Sequence, residues 1–543
     1  MESFFNGFPQ LMKASVSLFG IFALAVISLF LVVLWLFYRA KPKRETSILL
    51  YIILFCLALA LPALAAGSFL DFRMGSEVVA QTINDTTINN PTVDNVIKAN
   101  SINGLLNLEQ DIPVPISDIK ATANALWDKY KSEVCNQQER QQENTDIQYT
   151  FATDDGNVTA VVRMIILNGN TMRFTVDKKG IKPTAGYPVF IALHGGGSSS
   201  DALDNDDDWY NVQGLWGRDV DPGIYIAVRG ISNTWDLHFR PDSYPMYDRL
   251  IENMIACEDA DPNAIYLMGF SAGGDGVYQI TPRMGDRFGA TNMMAGHPNG
   301  VNVDNYRNVP FLVQVGEEDR EYNRNLEAAR YNELLNSKAS SRGGYAHDTF
   351  IHAGGDHNNW IPETYVSPQP NTIIDNIAEW LQGNGSGGGT IEQNTASVTW
   401  MKQHRRNPLP SRVIWDTSTR ADKRLTKGFY WLDAGSNPDG SLIDIEYSRD
   451  SNTINVSQLG SYVEIQFSPQ MVDFSQPVTI NKGQDRFAVQ LKASLKKMVE
   501  TLVDRGDPNY IFSDDVVLEN AGGTLKVSGQ PSSAVDNTVI GLD

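Results

Sequence analysis

Cysteine is scarce, with three in 543 residues. That excludes a disulfide-stapled scaffold, and no zinc-binding spacing occurs. Cys56 lies inside an apolar stretch, which leaves Cys135 and Cys257 as the one pair an oxidising compartment can join. Cations are also few: 44 Lys and Arg stand against 64 Asp and Glu, for a formal net charge of −20. A chain without a basic field cannot displace phosphate counterions, so the charge argues against nucleic acid as a partner. Only seven histidines occur, so a catalytic base must come from few positions. Apolar character is plentiful, at 42% hydrophobic residues with 20% charged, enough to bury large cores in more than one domain.

Residues 1–70 are a different material from the rest. Two apolar stretches, 14–38 and 48–66, are each long enough to cross a hydrocarbon core. Arg39, Lys41, Lys43 and Arg44 lie between them. Basic loops stay cytoplasmic, so the pattern predicts a transmembrane helical hairpin with the remainder on the extracytoplasmic side. The small residues from Pro62 to Ser68 also look like a cleavage site, which is the competing reading of the second stretch. Residues 71–145 read as a polar stalk with one helix over 119–134, and residues 146–382 as a catalytic domain. Residues 383–397 read as a Gly/Ser-rich linker and 398–543 as a β-sandwich-like accessory domain interrupted by a helix over 488–503. The aromatics of that last domain, among them Trp415, Phe429, Tyr430 and Trp431, are expected in its core rather than on a binding face.

Two short segments carry the chemistry. Gly269-Phe270-Ser271-Ala272-Gly273 follows the apolar run 264–268, and G-x-S-x-G allows the sharp strand-to-helix turn that lifts a serine hydroxyl above a sheet. The turn leaves the N–H of Ala272 free for an oxyanion. His194-Gly195-Gly196-Gly197 follows the apolar run 187–193, and Gly195, Gly196 and Gly197 are the expected further oxyanion donors. In the order nucleophile, acid, base, the strand over 310–316 leads to Asp319 as the acid, with Glu317 and Glu318 able to substitute from the same turn. His357, in a glycine-led loop after a strand over 347–352, is the expected base. His297 precedes Asp319 and reads as a pocket residue, His347 and His352 as strand residues, and His404 as lying beyond the domain. Trp235, Asp236, His238 and Arg240 form a dense polar and aromatic group expected to line the pocket; Arg240 either grips a substrate carboxylate or forms a structural ion pair. The acidic run 201–208 lacks the EF-hand spacing and reads as a solvated loop. No metal or organic cofactor is expected. Helices over 243–256, 323–336 and 372–382 supply the crossovers of a mostly parallel α/β sheet.

The segments 192–197, 235–241, 269–278 and 293–298 resemble the α/β-hydrolases near the polyhydroxybutyrate depolymerases and feruloyl esterase-like enzymes, over roughly residues 145 to 385. The resemblance implies an α/β-hydrolase fold and a carboxylesterase with Ser271, Asp319 and His357 as its triad. His194 reads as organising the oxyanion loop, and His194, Asp275 and His297 are expected among the residues that bind the substrate. The resulting expectation is a membrane-anchored, extracytoplasmic serine hydrolase acting on small-molecule or polymeric esters, held to the membrane through residues 14–66. Two other readings stand beside it: a prolyl-oligopeptidase-like peptidase, for which the stretch before residue 147 is too short to form a propeller, and a surface-binding protein with a silent hydrolase fold.

Overall fold

The computed structural model describes residues 93–197, 202–360, 372–385, 387–390, 397–419, 427–435, 440–521 and 524–528. Both apolar stretches, 14–38 and 48–66, lie outside them. Among the described residues no helix is long and apolar enough to cross a membrane.

β1 (Ile147–Thr153), β2 (Gly156–Leu167) and β3 (Asn170–Lys179) form an antiparallel meander. β4 (Tyr187–Leu193), β5 (Gly223–Val228), β6 (Ala260–Phe270), β7 (Ala290–Met294), β8 (Phe311–Gly316) and β9 (His347–His352) run parallel to one another. Short β10 (Thr372–Ile373) and β11 (Gly389–Thr390) complete one sheet, ordered β1-β2-β3-β5-β4-β6-β7-β8-β9-β10-β11. This is the expected α/β-hydrolase arrangement. Residues 189–193 and 224–228 are fully buried because helices cover both faces, which is why these strands read as unbroken apolar runs. All the parallel strands end at one edge, with β6 at the middle of the group β5-β4-β6-β7-β8. The loops after them are where a site can assemble.

Among the described residues four helices precede the sheet: α1 (Val93–Ala99), α2 (Ile102–Leu106), α3 (Ile119–Asn136) and α4 (Gln138–Glu143). α5 (Ala202–Val212), α6 (Ser243–Cys257), α7 (Ala272–Met284) and α8 (Arg324–Arg342) lie between its strands, followed by α9 (Ile377–Leu381) and α10 (Val398–Lys402). α6, α7 and α8 pack on one face of the sheet, α5 and α10 on the other. The expected helix over 372–382 is a strand followed by a short helix. Thr372 and Ile373 pair with Thr390 and His352, and the Asn376 side chain caps the Glu379 N–H so that α9 starts late.

The described residues from 412 to 527 form two five-stranded sheets. β12 (Arg412–Asp416), β13 (Gly428–Phe429), β14 (Leu432–Asp433), β15 (Leu442–Ser448), β16 (Thr453–Gln458), β17 (Tyr462–Phe467), β18 (Val478–Lys482), β19 (Asp485–Val489), β20 (Asp514–Ala521) and β21 (Thr524–Val527) are ordered β12-β15-β16-β18-β19 and β13-β14-β17-β20-β21. Their inner faces share one core that contains Trp415, Phe429, Tyr430 and Trp431. The helix expected over 488–503 is α11 (Leu495–Arg505). Ser494 caps it through the Lys497 N–H at 3.0 Å, while residues 485–489 pair with β18.

The segment expected to be a stalk is folded where it is described. Val96, Ile97, Leu105, Ile119, Leu126, Tyr130 and Val134 belong to the same core as the sandwich. Leu495 N–H donates to Ile112 O at 3.0 Å, and Val114 N–H to Ala493 O at 2.8 Å. Cys135 in α3 is bonded to Cys257 at the end of α6, with Cα atoms 5.6 Å apart. Beside it, Arg140 and the Tyr130 hydroxyl each donate at 2.5 Å to the Glu252 carboxylate.

The sandwich meets the α/β domain through buried charge. Arg406 pairs with Asp507 at 2.8 Å, Arg505 with Asp286, and Arg287 with both Asp248 (3.5 Å) and Asp507 (3.6 Å). All six are buried. The Tyr510 hydroxyl adds a hydrogen bond to Asp286 O at 2.7 Å.

Candidate active site

Ser271 stands where β6 ends and α7 begins, at φ 56° and ψ −121°. That conformation is disfavoured for a residue with a Cβ and persists only where its surroundings enforce it. Here glycine does so: a Cβ at Gly269 would overlap the Gly273 carbonyl, and one at Gly273 would overlap the Leu193 carbonyl. The Ser271 N–H donates to Met294 O at 3.0 Å, which fastens the turn to the end of β7. The serine borders a cavity of about 810 Å³.

Three of the expected residues come together in one line. His357 Nε2 lies 3.1 Å from Ser271 Oγ, and His357 Nδ1 lies 2.8 Å from Asp319 Oδ2. A carboxylate accepts and does not donate, so Nδ1 carries the proton and Nε2 is left to receive one from the hydroxyl. The Phe270 ring packs against the imidazole at 5.0 Å between centroids. Glu317 and Glu318 do not stand in for Asp319. Glu317 accepts from the Gly354 N–H at 2.8 Å and from Trp380 Nε1 at 3.2 Å, latching the loop that carries the histidine. Glu318 pairs with Arg320 at 2.6 Å.

Gly195, Gly196, Gly197 and Ala272 all border the cavity. Among the described residues the N–H groups of Gly195, Gly196 and Ala272 meet no acceptor, whereas that of Gly197 is taken by Asn205 Oδ1 at 2.9 Å. Gly197 therefore shapes the loop instead of offering a donor. At φ 75° it passes so close to Trp235 that a Cβ there would sit 2.5 Å from the Trp235 Cα.

His194 organises the oxyanion loop as expected, but neither it nor His238 reaches the cavity, which corrects their placement among the substrate-binding residues. His194 Nδ1–H donates to Gly195 O at 2.6 Å and its Nε2 accepts the Gly230 N–H at 3.1 Å. His238 Nε2–H donates to His194 O at 2.9 Å. Burial, then His238 and Arg229, hold His194 well below the ordinary histidine range, and burial pushes His238 down to about 3. Both are neutral braces of the oxyanion loop. Asp236 and Arg240 pair with each other at 3.4 Å and are likewise not among the cavity residues.

Trp235, Asp275 and His297 do line the cavity. Asp275 accepts from the His297 N–H at 2.6 Å and from Asn299 Nδ2 at 2.9 Å; burial raises its carboxyl despite those donors. His297 Nδ1 is engaged by Asn299, whose N–H lies at 3.0 Å and whose Oδ1 lies at 2.9 Å.

Sequence reasoning missed Asp208, Asn299, Glu321, Tyr322, Arg324 and Asn358 on the cavity wall. The acidic run is not a solvated loop where it is described. It lies in α5, where Asn205 binds Gly197 and Asp206 pairs with the buried Arg229 at 2.6 Å. Among the described residues no group of three or more His, Cys, Asp or Glu is gathered to hold a metal ion.

No family model and no curated protein matches the sequence. Solved structures overlap it in part. A thermostable esterase is 17% identical with a TM-score of 0.30, over 49% of this chain and 64% of that one. A poly(3-hydroxybutyrate) depolymerase from Bordetella parapertussis is 14% identical with a TM-score of 0.32, over 50% of this chain and 97% of that one. A putative dipeptidyl aminopeptidase IV from Bacteroides ovatus is 14% identical with a TM-score of 0.28, over 40% and 33%.

Proposed function

We propose that this serine hydrolase cleaves carboxylic esters on the extracytoplasmic side of a membrane to which residues 14–66 anchor it. The single observation that carries the chemistry is the line Ser271 Oγ, His357, Asp319, at 3.1 and 2.8 Å, beside open N–H groups of Gly195, Gly196 and Ala272. Ser271 Oγ attacks the acyl carbonyl while His357 Nε2 takes the hydroxyl proton. Asp319 holds the imidazole in its tautomer and stabilises the charged ring. The carbonyl oxygen becomes an oxyanion to which the open N–H groups donate. Collapse releases the alcohol, which takes the proton from His357, and leaves an acyl-serine. Water then repeats the sequence: His357 removes its proton, the acid leaves, and Ser271 regains its hydrogen.

The location rests on the sequence of residues 14–66 and is supported by the Cys135–Cys257 bond, since such bonds persist in oxidising compartments. Reporter fusions after Lys43 and after Gly67 are expected to report inside and outside, respectively. A cytoplasmic signal from the second fusion would refute the placement. The chemistry is tested with a fluorophosphonate probe on the full-length protein, followed by panels of esters and peptides. Labelling at Ser271 with turnover confined to esters is expected. Turnover of peptides and not of esters would make the protein a peptidase.

A further inference from the structure

Residues 322 to 324, just after the acid, concentrate three locally unfavourable features. Tyr322 (φ 55°, ψ 17°) and Asn323 (φ 55°, ψ 33°) are consecutive non-glycine residues in the left-handed region, where Cβ crowds the following carbonyl. Arg324 is then the first residue of α8, at the positive end of the helix dipole, where a cation has the wrong sign. Strain of this kind persists where something else over-determines the geometry.

Asp319 is what Arg324 reaches. Its Nη1 donates to Asp319 Oδ1 at 3.3 Å, while the other oxygen, Oδ2, is held by His357 Nδ1–H at 2.8 Å. Among the described residues no other donor meets Oδ1. The guanidinium is fixed from two further sides, 4.9 Å from the Tyr322 ring centroid and 3.7 Å from Glu321 Oε2. Its Nη1 also approaches His357 Nδ1 to 3.5 Å, but that nitrogen keeps its proton, which it donates to Asp319, and so has no lone pair with which to accept. Arg324 and Asp319 are both buried.

We propose that Arg324 is a positioning residue: it holds one oxygen of Asp319 so that the other stays aimed at His357. The left-handed turn at 322–323 is the device that carries the start of α8 to within reach. The proposal rests on Asp319 being the acid of the hydrolase.

The test is steady-state hydrolysis of p-nitrophenyl butyrate by the full-length protein, with active sites counted by fluorophosphonate so that misfolded molecules do not enter kcat. Arg324→Met is expected to lower kcat roughly 10- to 100-fold, the usual effect of misplacing a catalytic group, with KM within about threefold. Arg324→Lys, which keeps a cationic donor, is expected to restore part of the loss, and it serves as the primary variant if Arg324→Met does not fold. In an Asp319→Asn background the same Arg324 change should cost about threefold or less, because residues acting through one another are not additive. The full loss persisting in that background, or falling on KM alone, overturns the positioning role. An Asp319→Asn variant with undiminished kcat overturns the acid assignment itself, and the proposal with it.

Discussion

Ser271→Ala is expected to abolish ester hydrolysis while leaving the fold intact, and His357→Ala to cost nearly as much. Members of such a unit contribute together, so removing either one removes on the order of 10³ to 10⁶ in kcat and removing both costs little more. The geometry motivates the expectation: His357 Nε2 is within 3.1 Å of the hydroxyl and no other histidine contacts it among the described residues. The open N–H groups survive both changes, so a small residual rate over water should remain. His297→Ala is the control, since its ring is engaged with Asn299 and only borders the cavity. That variant should raise KM with a smaller effect on kcat. Kinetics of the three variants, with circular dichroism to check folding, decides the matter: an inactive His297→Ala beside an active His357→Ala would show the wrong histidine was assigned.

The largest expected effect on stability comes from the buried charges between the sandwich and the α/β domain. Asp507 is shared by Arg406 and Arg287 at 2.8 and 3.6 Å. Burial acts to raise its carboxyl, but Arg406 and then Arg287 outweigh it and hold the group below the usual carboxylate range. Asp507→Ala takes away the carboxylate that pairs with the buried Arg406 and leaves Arg287 with Asp248, at 3.5 Å, and should destabilise by about 3–5 kcal/mol. A depressed folded value contributes stability that is present above the unfolded carboxylate value and is lost as pH falls through the folded one. The gap between parent and variant should therefore be full at neutral pH and shrink toward acid. Urea unfolding at several pH values measures it, and an unchanged midpoint at pH 7 would contradict the account.

The central sheet was legible because its parallel strands are covered on both faces, so runs such as 189–193 and 224–228 are apolar throughout. The G-x-S-x-G turn marked Ser271, and chain order then pointed to Asp319 and to His357 over His297. The sequence could not show which polar residues turn inward. His238 looks like a pocket residue beside glycines and aromatics, yet it bonds to the His194 carbonyl under the loop. The opposite error concerned residues 93–143. Their apolar positions are sparse and helically spaced, and the surface they cover is made by strands several hundred residues later, so they read as a polar tether. Arg324 was hidden for a third reason: its approach to Asp319 depends on two left-handed residues, which no periodicity predicts.

The disulfide and the helices before the sheet bear on where the chain can be cut. A fragment beginning near residue 144, at the apparent edge of the catalytic domain, would leave Cys257 as a free thiol. It would also remove the Tyr130 and Arg140 donors from Glu252 and uncover the sandwich residues that α1 to α3 shield. Such a truncation should aggregate or mispair its thiol, whatever its catalytic residues can do, whereas one begun before Val93 keeps the brace and its covalent tie.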